Sequence, residues 1–543
     1  MRKIIKKGPK YREPKQIDFT NARQQITSGL SQYVEQISND KGIHKNSLLP
    51  WKNTVLDLVD KKIDSLKTKL QINQVKSALD DSVVKRNLIS LKNDFVIVPI
   101  DKAANNVAFV CKQFYASVIA KELKIDDNIS NHDENTYEYV NKSTESLIEN
   151  HKKYLSKLGL KLTENMEQLP VMYWLPKMHK SPTGFRFIIA SPACSIKPLS
   201  KDITSIFKLF YKKVERYHTK GRLWSGIKQF WTIDNSSSLI GCVNKINLRK
   251  SAKRMTTFDF STLYTKIPHD KLLNVLFEIT EFAFRGGTRK YIAVYNSGAY
   301  WSNSKDSNGR CYSLQQIKSA LQYLLNNCYF QVGSSIFRQI IGIPMGSDPA
   351  PFFANLFLFH YESMWLKSIK NGQYGKARKF GNVFRFIDDL IAINDGGEFE
   401  NNYLEIYPPE LILKKENTSS SEATFLDLHL LIVDGQIKTT LYDKRDAFGF
   451  DIVRFPYKDS TIPSKMFFST VSAEVLRICR ANTCKNSFIE TSKRFIQRMI
   501  KQGASSLGIR RVLTKMINRH SNDFKKFGTS DKQLIESLIP NNK

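Results

Sequence analysis

Acidic residues interrupt two apolar runs of the chain, at positions where a folded core does not normally accept a charge. Asp259 lies in MTTFDFSTLY (255–264), and Asp388 and Asp389 lie together in FRFIDDLIAI (384–393). A buried, unpaired carboxylate is costly, and an adjacent like charge raises that cost. Carboxylates from separate strands can instead hold two Mg²⁺ ions roughly 3.5–4 Å apart, which align attacking and leaving oxygens. The alternative is that these acids are ordinary strand-end turn residues, because Asp is common in turns.

A glycine- and proline-rich segment separates the two acidic sites. GIPMGSDPAPFFANLFLFHYE (342–362) begins as a turn and continues as a long apolar helix. Glycine lets the backbone approach a flat base pair closely, where a side chain would clash. Taken singly, a loop–helix junction with Ser347 or Asp348 as the N-cap is the better explanation. Because the segment lies between two strands that carry candidate metal ligands, we instead favour the interpretation that its glycines approach a base pair.

The elements that must position these residues can be predicted from hydrophobic periodicity and turn residues. We expect a strand over 254–260, a helix from about His269 and a buried hairpin over 383–394. Further hairpins are expected at 93–113, at 171–193 and in the aromatic- and glycine-rich insertion 279–313. Helical patterns cover 48–70, 114–124, 135–158, 199–232, 314–327 and 347–369, and strands near 428–443 precede more helices.

The charge balance is strongly positive, since 83 Lys and Arg against 51 Asp and Glu give a net charge of +32. Such a field attracts polyanions, and each phosphate contact releases condensed counterions. A ribosomal or merely basic protein, or one that binds acidic lipid, would share this property. The polar, charged residues 1–92 are compatible with a basic arm on a template, a nuclear address or a solvated extension.

Composition disfavours secreted, membrane and zinc-binding proteins. The N-terminus lacks the apolar region of a secretory signal. The longest apolar stretch, 351–366, is broken by His360 and Glu362 and is too short to span a bilayer. The cysteines form no C-x-x-C pair, which is typical of reduced, buried thiols: Cys111, Cys194, Cys242, Cys311, Cys328, Cys479 and Cys484. We therefore expect a soluble protein of the nucleus or cytoplasm, without membrane association.

Several stretches, in the right order, resemble the motifs of one family. TFDFSTLYTKIPHDKL, QIIGIPMGSDPAPFFANLFL and FRFIDDL look like successive palm motifs of reverse transcriptases. VPIDKAANNVAFV, WLPKMHKSPTGFRFIIAS and the stretch from ATFLDLHLL to EVLRICR (423–480) narrow the resemblance. Together they are similar to Penelope-like retroelement reverse transcriptases, which are near telomerase in sequence character. The resemblance covers roughly residues 90–500.

The resemblance implies an α+β fold of the right-hand polymerase type, in which a small antiparallel palm sheet is covered by helices on one face. The expected boundaries are a partly helical N-terminal extension at 1–92, fingers at 93–250, palm at 251–425, and a helical thumb with a basic C-terminal region at 426–543. No G-[IV]-Y…Y-[IV]-G pair occurs. The chain thus resembles members that lack the endonuclease, or a truncated or separately encoded copy.

The resemblance also implies roles for the acids. Asp259 and Asp388 would be metal ligands, with the backbone carbonyl of Phe260 completing the set. Asp389 would shape the same acidic site. Tyr264, which follows Asp259 in the same motif, would place a bulky ring under the sugar. That ring would clash with a 2′-hydroxyl and so select deoxynucleotides.

Other implied roles concern the incoming nucleotide. Lys102 and Arg186 would grip its triphosphate, where Arg suits a bidentate contact. Gln339 would contact the nucleotide at the nascent base pair. Lys415 would protonate pyrophosphate; Lys414 competes for that role, and a solvated strand end is an equal alternative.

The last group would contact the template and the primer. Its members are Gly342, Pro344, Met345, Gly346, Phe386, Phe425 and Leu426. Phe386 stands where many relatives carry Tyr, so a ring remains but its hydroxyl is lost. GSDPAP replaces the commoner G-S-P-L-S-P and leaves Asp348 near a polyanion, where it would lower activity or cap the helix.

These residues lead us to expect an RNA-directed DNA polymerase. Its cofactors would be two Mg²⁺ ions, with Mn²⁺ as a substitute, and its partners an RNA template, a DNA primer or target, and dNTPs. One alternative is a catalytically inactive, nucleic-acid-binding descendant. Another is an RNA-dependent RNA polymerase, which normally needs a small or polar residue under the ribose, so that Tyr264 argues against it.

Overall fold

The computed structural model describes residues 6–13, 18–69, 82–125, 135–305, 309–370, 372–443 and 448–539. Residues 1–5, 14–17 and 70–81 of the expected N-terminal extension lie outside the described residues. The chain divides into two compact units. One is Met1–Phe95 with Val453–Phe467, and the other is Val96–Ile452 with Phe468–Lys543.

The first unit is helical. Its helices are α1 (Phe19–Lys41), α2 (Lys45–Lys69) and α3 (Ser82–Asp94). The Asp18 side chain caps α1 by accepting a hydrogen bond from the backbone N–H of Asn21 at 3.0 Å. An ion pair between Arg23 and Asp60 at 2.6 Å joins α1 to α2. The helix expected at 48–70 is confirmed, with an earlier start.

The rest of the chain mixes strands and helices. Its strands are β1 (Phe95–Ile100), β2 (Ala103–Cys111), β3 (Tyr137–Tyr139), β4 (Val171–Lys177), β5 (Gly184–Ala190), β6 (Met255–Phe260), β7 (Tyr291–Tyr295), β8 (Gly298–Ser302), β9 (Arg310–Ser313), β10 (Tyr329–Val332), β11 (Ser335–Gln339), β12 (Val383–Phe386), β13 (Asp389–Ile393), β14 (Leu413–Lys415), β15 (Glu422–Phe425), β16 (Leu428–Val433) and β17 (Gln436–Leu441). Its helices are α4 (Lys112–Glu122), α5 (Thr144–Lys157), α6 (Lys197–Ser225), α7 (Ser237–Leu248), α8 (Leu263–Lys266), α9 (His269–Phe284), α10 (Leu314–Asn326), α11 (Ala350–Lys370), α12 (Tyr374–Lys379), α13 (Glu398–Ile406), α14 (Ser464–Ala481), α15 (Lys485–Lys501), α16 (Ser506–Arg519), α17 (Ser521–Phe524) and α18 (Asp531–Leu538).

A four-stranded antiparallel sheet of order β12-β13-β6-β14 carries the acidic residues. On one face, Phe258 and Phe260 join the large core built with α6, α9, α10 and α11. Because side chains alternate along a strand, Asp259 lies on the other face. At the end of the sheet away from Asp259, this second face is covered by α7 and β15–β17, which pack on Met255 and Ile391. The acidic end of the sheet is left only half-buried.

The remaining strands form smaller sheets. A five-stranded sheet has the order β3-β11-β10-β4-β5, in which β10 and β4 are parallel and the other pairs antiparallel. β1 and β2 pair with each other, and β15, β16 and β17 form a meander. The hairpins expected at 93–113, 171–193 and 383–394 are confirmed.

Two sequence-based expectations about secondary structure need correction. The helix expected at 135–158 begins only at Thr144, because Tyr137–Tyr139 forms strand β3 and pairs with β11. The insertion expected to form a hairpin is a three-stranded sheet of order β8-β7-β9. The mixed α+β class is confirmed. Among the described residues, no helix combines the length and the apolar character needed to cross a membrane.

Candidate functional site

The acids predicted from the sequence meet at one end of the four-stranded sheet. Asp259 on β6 and Asp389 on β13 are direct cross-strand partners. The backbone N–H of Phe260 donates to the carbonyl oxygen of Asp388 at 3.1 Å, so Asp388 lies beside them. Like charges directly opposite each other destabilise a sheet. A cation bound between the two strands would relieve the repulsion between these carboxylates.

The donor set suits a hard cation, although the carboxylates are not gathered around one point. Asp259, Asp388 and the Phe260 carbonyl offer only oxygen ligands, which Mg²⁺ prefers. Within the part of the chain that the structure describes, no group of three or more His, Cys, Asp or Glu side chains is arranged to hold a metal ion. The residues fit the ions in the chemistry of their oxygen donors.

The turn that presents Asp388 rests on a buried ion pair that sequence reasoning missed. Ile387 has a φ of 53°, which is unusual for a β-branched residue. Its carbonyl oxygen accepts a hydrogen bond from Arg385 Nη1 at 3.1 Å. Arg385 is 0% exposed and pairs through Nε with Glu362 Oε1 at 2.5 Å. The Tyr407 hydroxyl also donates to Glu362, at 2.9 Å.

This ion pair has a clear structural consequence. A buried guanidinium is tolerated only when its donors are satisfied, and Arg385 reaches Glu362, the side chain and backbone of Asn355, Thr232 and the Ile387 carbonyl. Arg385 therefore fixes a strained turn from below. The sequence signals were visible, since Arg385 lies within the acidic motif and Glu362 interrupts an apolar helix.

Tyr264 lies within electrostatic reach of Asp388. It is half-buried against the main core on helix α8. Burial, and then the charge of Asp388, raise the pKa of the Tyr264 hydroxyl to about 12. Its backbone carbonyl accepts the N–H of Ile343 at 2.8 Å. The phenol therefore stays neutral, and the backbone that carries it is anchored to the 342–346 segment.

The glycines of the 342–346 segment approach protein backbone. Gly342 has a φ of 88°, and a Cβ there would overlap the carbonyl oxygen of Tyr264. Gly346 has a φ of 115°, and a Cβ there would overlap the carbonyl oxygen of Ile189 on β5. The N–H of Ile189 donates to the Met345 carbonyl at 2.9 Å. The segment thus ties Tyr264 to the strand that carries Arg186.

A group of cations lies on the β1–β2 and β4–β5 hairpins. Arg186 Nη1 lies 3.1 Å from Asp101 Oδ1, and Asp101 is 3% exposed. Asp101 Oδ2 has no hydrogen-bond partner among the described residues. Burial and then Arg186 lower the pKa of Lys177, whereas the charge of Asp259 raises it. Lys177, which sequence reasoning did not single out, is therefore within electrostatic reach of the acidic site.

His179 belongs to the same group. Burial lowers its pKa, and the charges of Lys102, Lys180 and Arg186 add to that effect. Both of its ring nitrogens are buried without a hydrogen-bond partner among the residues described. Lys102 itself is exposed in the turn between β1 and β2, with a φ of 62°. The two predicted cations, Lys102 and Arg186, thus lie around one histidine.

The strand register separates the two competing lysines. Lys414 is the direct partner of Asp259, so their side chains share a face of the sheet. Lys415 is opposite Phe258, on the helical face, and its Nζ lies 2.7 Å from Glu400. Lys414, rather than Lys415, therefore projects on the acidic side.

The other predicted residues occupy two places. Phe386, Phe425 and Leu426 pack in one hydrophobic cluster beside the acidic end of the sheet. Gln339 is buried, and its amide donates to the Ile341 carbonyl at 2.9 Å. Pro344 is half-buried in the turn after Gly342.

Asp348, the departure from the family pattern, is neutralised within the protein. Its carboxylate accepts hydrogen bonds from Lys197 Nζ at 2.8 Å and Ser200 Oγ at 3.0 Å. The Lys197 side chain is largely buried. Asp348 therefore joins the start of α6 to the segment before α11, and its charge is partnered before any polyanion approaches.

Comparisons with known proteins bear on the fold. No protein-family model and no curated protein matches the chain. The solved structure of telomerase from Candida albicans, in complex with a TWJ fragment of telomeric RNA, aligns over 84% of this chain and 71% of that chain, with 12% identity and a TM-score of 0.52. Telomerase from Candida tropicalis with such a fragment aligns over 86% and 72%, with 11% identity and a TM-score of 0.46, which is too low to carry an argument. At these identities the likeness concerns the fold alone: the chain has a mixed α+β, reverse-transcriptase-like fold similar to that of telomerase.

Proposed function

We propose that the protein is an RNA-directed DNA polymerase of a Penelope-like retroelement. One observation carries the proposal. Asp259 and Asp389 are cross-strand partners with Asp388 beside them, on the face of an antiparallel sheet opposite its main helical core. Two adjacent strands that present carboxylates in this way suit two-metal nucleotidyl transfer. In this assignment residues 93–250 are fingers, 251–425 palm and 426–543 thumb.

The metal ligands would be Asp259, Asp388 and the Phe260 carbonyl. When bound, two Mg²⁺ ions, or Mn²⁺ in their place, would activate the primer 3′-hydroxyl and neutralise the departing pyrophosphate. Arg385 and Glu362 hold the Ile387 carbonyl and so position Asp388. Asp389 maintains the negative potential beside them.

The residues around the acids would bind the nucleotide. Arg186, oriented by buried Asp101, would contact the triphosphate together with Lys102 and Lys177. Lys414 would supply the proton to pyrophosphate in place of Lys415, because it shares the face of Asp259. The Tyr264 ring would exclude the 2′-hydroxyl.

The strands would be held by backbone and stacking contacts. Phe386, Phe425 and Leu426 would form a grip for the DNA primer, and Gln339, Gly342, Pro344, Met345 and Gly346 would support the nascent base pair with the RNA template. The net charge of +32 suits a heteroduplex recognised by its backbone and 2′-hydroxyls. The resemblance implies target-primed synthesis from a chromosomal 3′ end.

Primer extension tests the proposal. The purified chain would be given RNA or DNA templates, dNTPs or NTPs, and Mg²⁺ or Mn²⁺, with Asp259→Asn as the control. We expect dNTP incorporation on RNA that requires a divalent cation and is absent in the variant. Template binding without extension would identify an inactive descendant instead, and incorporation of NTPs would identify an RNA polymerase.

A further inference from the structure

A large pocket lies among the helices, on the side of the sheet opposite the acids. Its volume is about 1030 Å³. The C-terminal half of α6 (217–225), the end of α9 (278–285) and the C-terminal half of α11 (359–370) form its walls. None of its described lining residues comes from β6, β12, β13 or β14. Because α6, α9 and α11 pack on the Phe258 and Phe260 face, the helical layer and the sheet separate this pocket from Asp259.

Aromatic rings dominate one side of the pocket. Trp224 is 91% exposed and Tyr217 is 60% exposed, although both are large enough to be buried in most proteins. Tyr217 makes an edge contact with Phe282, with ring centroids 5.1 Å apart, so its orientation is fixed. Phe359 closes the base of the pocket against His218, at 4.9 Å. Exposed aromatic surface of this kind marks a binding site.

Cations line the rim. Lys220, Lys367, Lys370 and Arg285 contribute four positive charges, against the single carboxylate of Glu278. The three lysines make no ion pair with any described residue, while Arg285 lies 3.9 Å from Glu281 and Glu278 lies 3.5 Å from His360. The lining of the pocket therefore has a net positive charge that ion pairs within the protein do not neutralise.

Polar groups complete the lining. His218 Nδ1 lies 2.6 Å from Gln229 Oε1, and burial lowers the pKa of His218 to about 4, so the imidazole is neutral at physiological pH. Ser225 and Ser363 also face the pocket. Such hydroxyl and amide groups can pair with base edges and with ribose 2′-hydroxyls.

We propose that this pocket binds single-stranded RNA, with unpaired bases stacked on Trp224 and Tyr217 and phosphates held by Lys220, Lys367 and Arg285. Exposed rings interleaved with cations are the pattern of single-strand binding, because every base offers a π-face while the backbone offers charge. A duplex keeps its base faces stacked inside and would leave the rings unused. An acidic peptide would satisfy the cations but not the aromatic wall.

Site-specific crosslinking tests the proposal. A single-stranded RNA of about eight nucleotides that contains 4-thiouridine would be irradiated with the full chain while excess RNA–DNA duplex occupies other basic surfaces. We expect crosslinks in the segment 217–229, resistant to the duplex. Crosslinks confined to other segments, competition by duplex, or equal competition by a polyglutamate peptide would overturn the proposal.

Matched variants sharpen the test. Trp224→Ala should weaken binding of that RNA about 5- to 100-fold, the range expected for one lost base stack. Leu223→Ala, at a neighbouring position that is 82% exposed but outside the pocket, should not. Lys220→Ser with Lys367→Ser should also weaken binding and flatten its salt dependence, while Lys208→Ser with Lys212→Ser, exposed on the same helix, should leave both unchanged. Equal effects of variant and control would contradict the assignment.

The pocket and the proposed polymerase site can fail separately. Extension of a short RNA–DNA primer-template should stay within about twofold of the parent in Trp224→Ala, because the pocket is remote from the acids. Crosslinking in 217–229 by a chain that does not extend primers would support the pocket and reject the polymerase. A matching loss of short-primer extension in Trp224→Ala would place this ring in the catalytic machinery and overturn the separate site.

Discussion

Two hairpins of the protein have the same local design but different surroundings. The β12–β13 turn is Ile387-Asp388 and the β15–β16 turn is Leu426-Asp427, each closed by Phe on the incoming strand. In both, a bulky residue has a positive φ, 53° at Ile387 and 56° at Leu426, where glycine is usually found. In both, an Asp follows.

The two Asp residues face opposite electrostatic conditions. Asp427 is paired with Arg477 Nη1 at 2.6 Å on α14. Asp388 is beside Asp259 and Asp389, while Arg385 on the incoming strand pairs with Glu362. One carboxylate is thus part of the scaffold and the other belongs to an acidic cluster. The contrast shows that neighbours from distant segments, and not the turn itself, set the electrostatic surroundings of each acid.

The largest expected difference between the two turns is in catalysis. Asp388→Asn should lower primer extension at least about 1,000-fold, or about 4 kcal/mol of transition-state stabilisation, because it removes a proposed metal ligand. Asp427→Asn removes a charge from the same kind of turn and should cost less than about tenfold. Steady-state extension rates measure both, and filter binding should show template affinity nearly unchanged. Similar losses in the two variants would contradict the distinction.

The second prediction concerns the arginine that pairs with an acid at each turn, Arg385 at β12–β13 and Arg477 at β15–β16. Arg385→Met leaves Glu362 buried without its partner and should lower the free energy of unfolding by about 3–5 kcal/mol. Arg477→Met, at a side chain that is partly exposed, should cost about 1–2 kcal/mol. Denaturant titration measures both.

A double variant separates stability from positioning. Arg385→Met with Glu362→Met should recover much of the stability, because no charge remains buried. It should still extend primers poorly, because the Ile387 carbonyl has lost its donor. Full recovery of both properties would show that Arg385 does not position the turn.

Substitutions of Tyr264 test whether the β12–β13 turn lies beside a nucleotide-binding site. Tyr264→Ala should admit NTPs, with the dNTP preference falling about 10- to 100-fold, because the ring that would clash with the 2′-hydroxyl is gone. Tyr264→Phe should keep the preference, since the hydroxyl, with its pKa raised to about 12, is neutral and is not the excluding group. Competition between dNTPs and NTPs measures the ratio. Unchanged selectivity in Tyr264→Ala would reject the role.

The smallest expected effect comes from relieving the backbone strain at Ile387 and Leu426, which have a positive φ. Glycine adopts a positive φ without strain, so Ile387→Gly and Leu426→Gly should each change stability by only about 1–2 kcal/mol, as relief offsets lost packing. Ile387→Gly should nevertheless slow extension more than Leu426→Gly, because only the first turn presents a proposed metal ligand. Stability and extension measured on the same preparations would decide this, and equal slowing would refute it.

Local sequence patterns were sufficient to predict many of the strands and hairpins. The apolar runs around Asp259 and Asp388 predicted strands β6, β12 and β13, and the turn residues near Pro182 and Gly184 predicted the β4–β5 hairpin. These elements follow from contacts between near neighbours. The helix expected from 135 began late because β3 is created by pairing with β11, a partner some 200 residues away in the chain.

Contacts between segments that are far apart in the sequence also limited what could be predicted for individual side chains. Register alone separates Lys414 from Lys415, and no local pattern reveals register across β14 and β6. The pairing of Arg385 with Glu362 and of Asp348 with Lys197 joins different helices and strands. The glycines were expected to approach a base pair, and their tight contacts are with Tyr264 and Ile189.

The sequence by itself determined which residue types could perform the chemistry and the order in which they occur, because hydrophobic alternation and an acid inside an apolar run are local facts. Only the tertiary structure decided which charges lie beside one another. Ion pairing and desolvation depend on residues that folding brings together from separate segments. Asp388 and Asp427 look alike in the sequence, and their partners make them different.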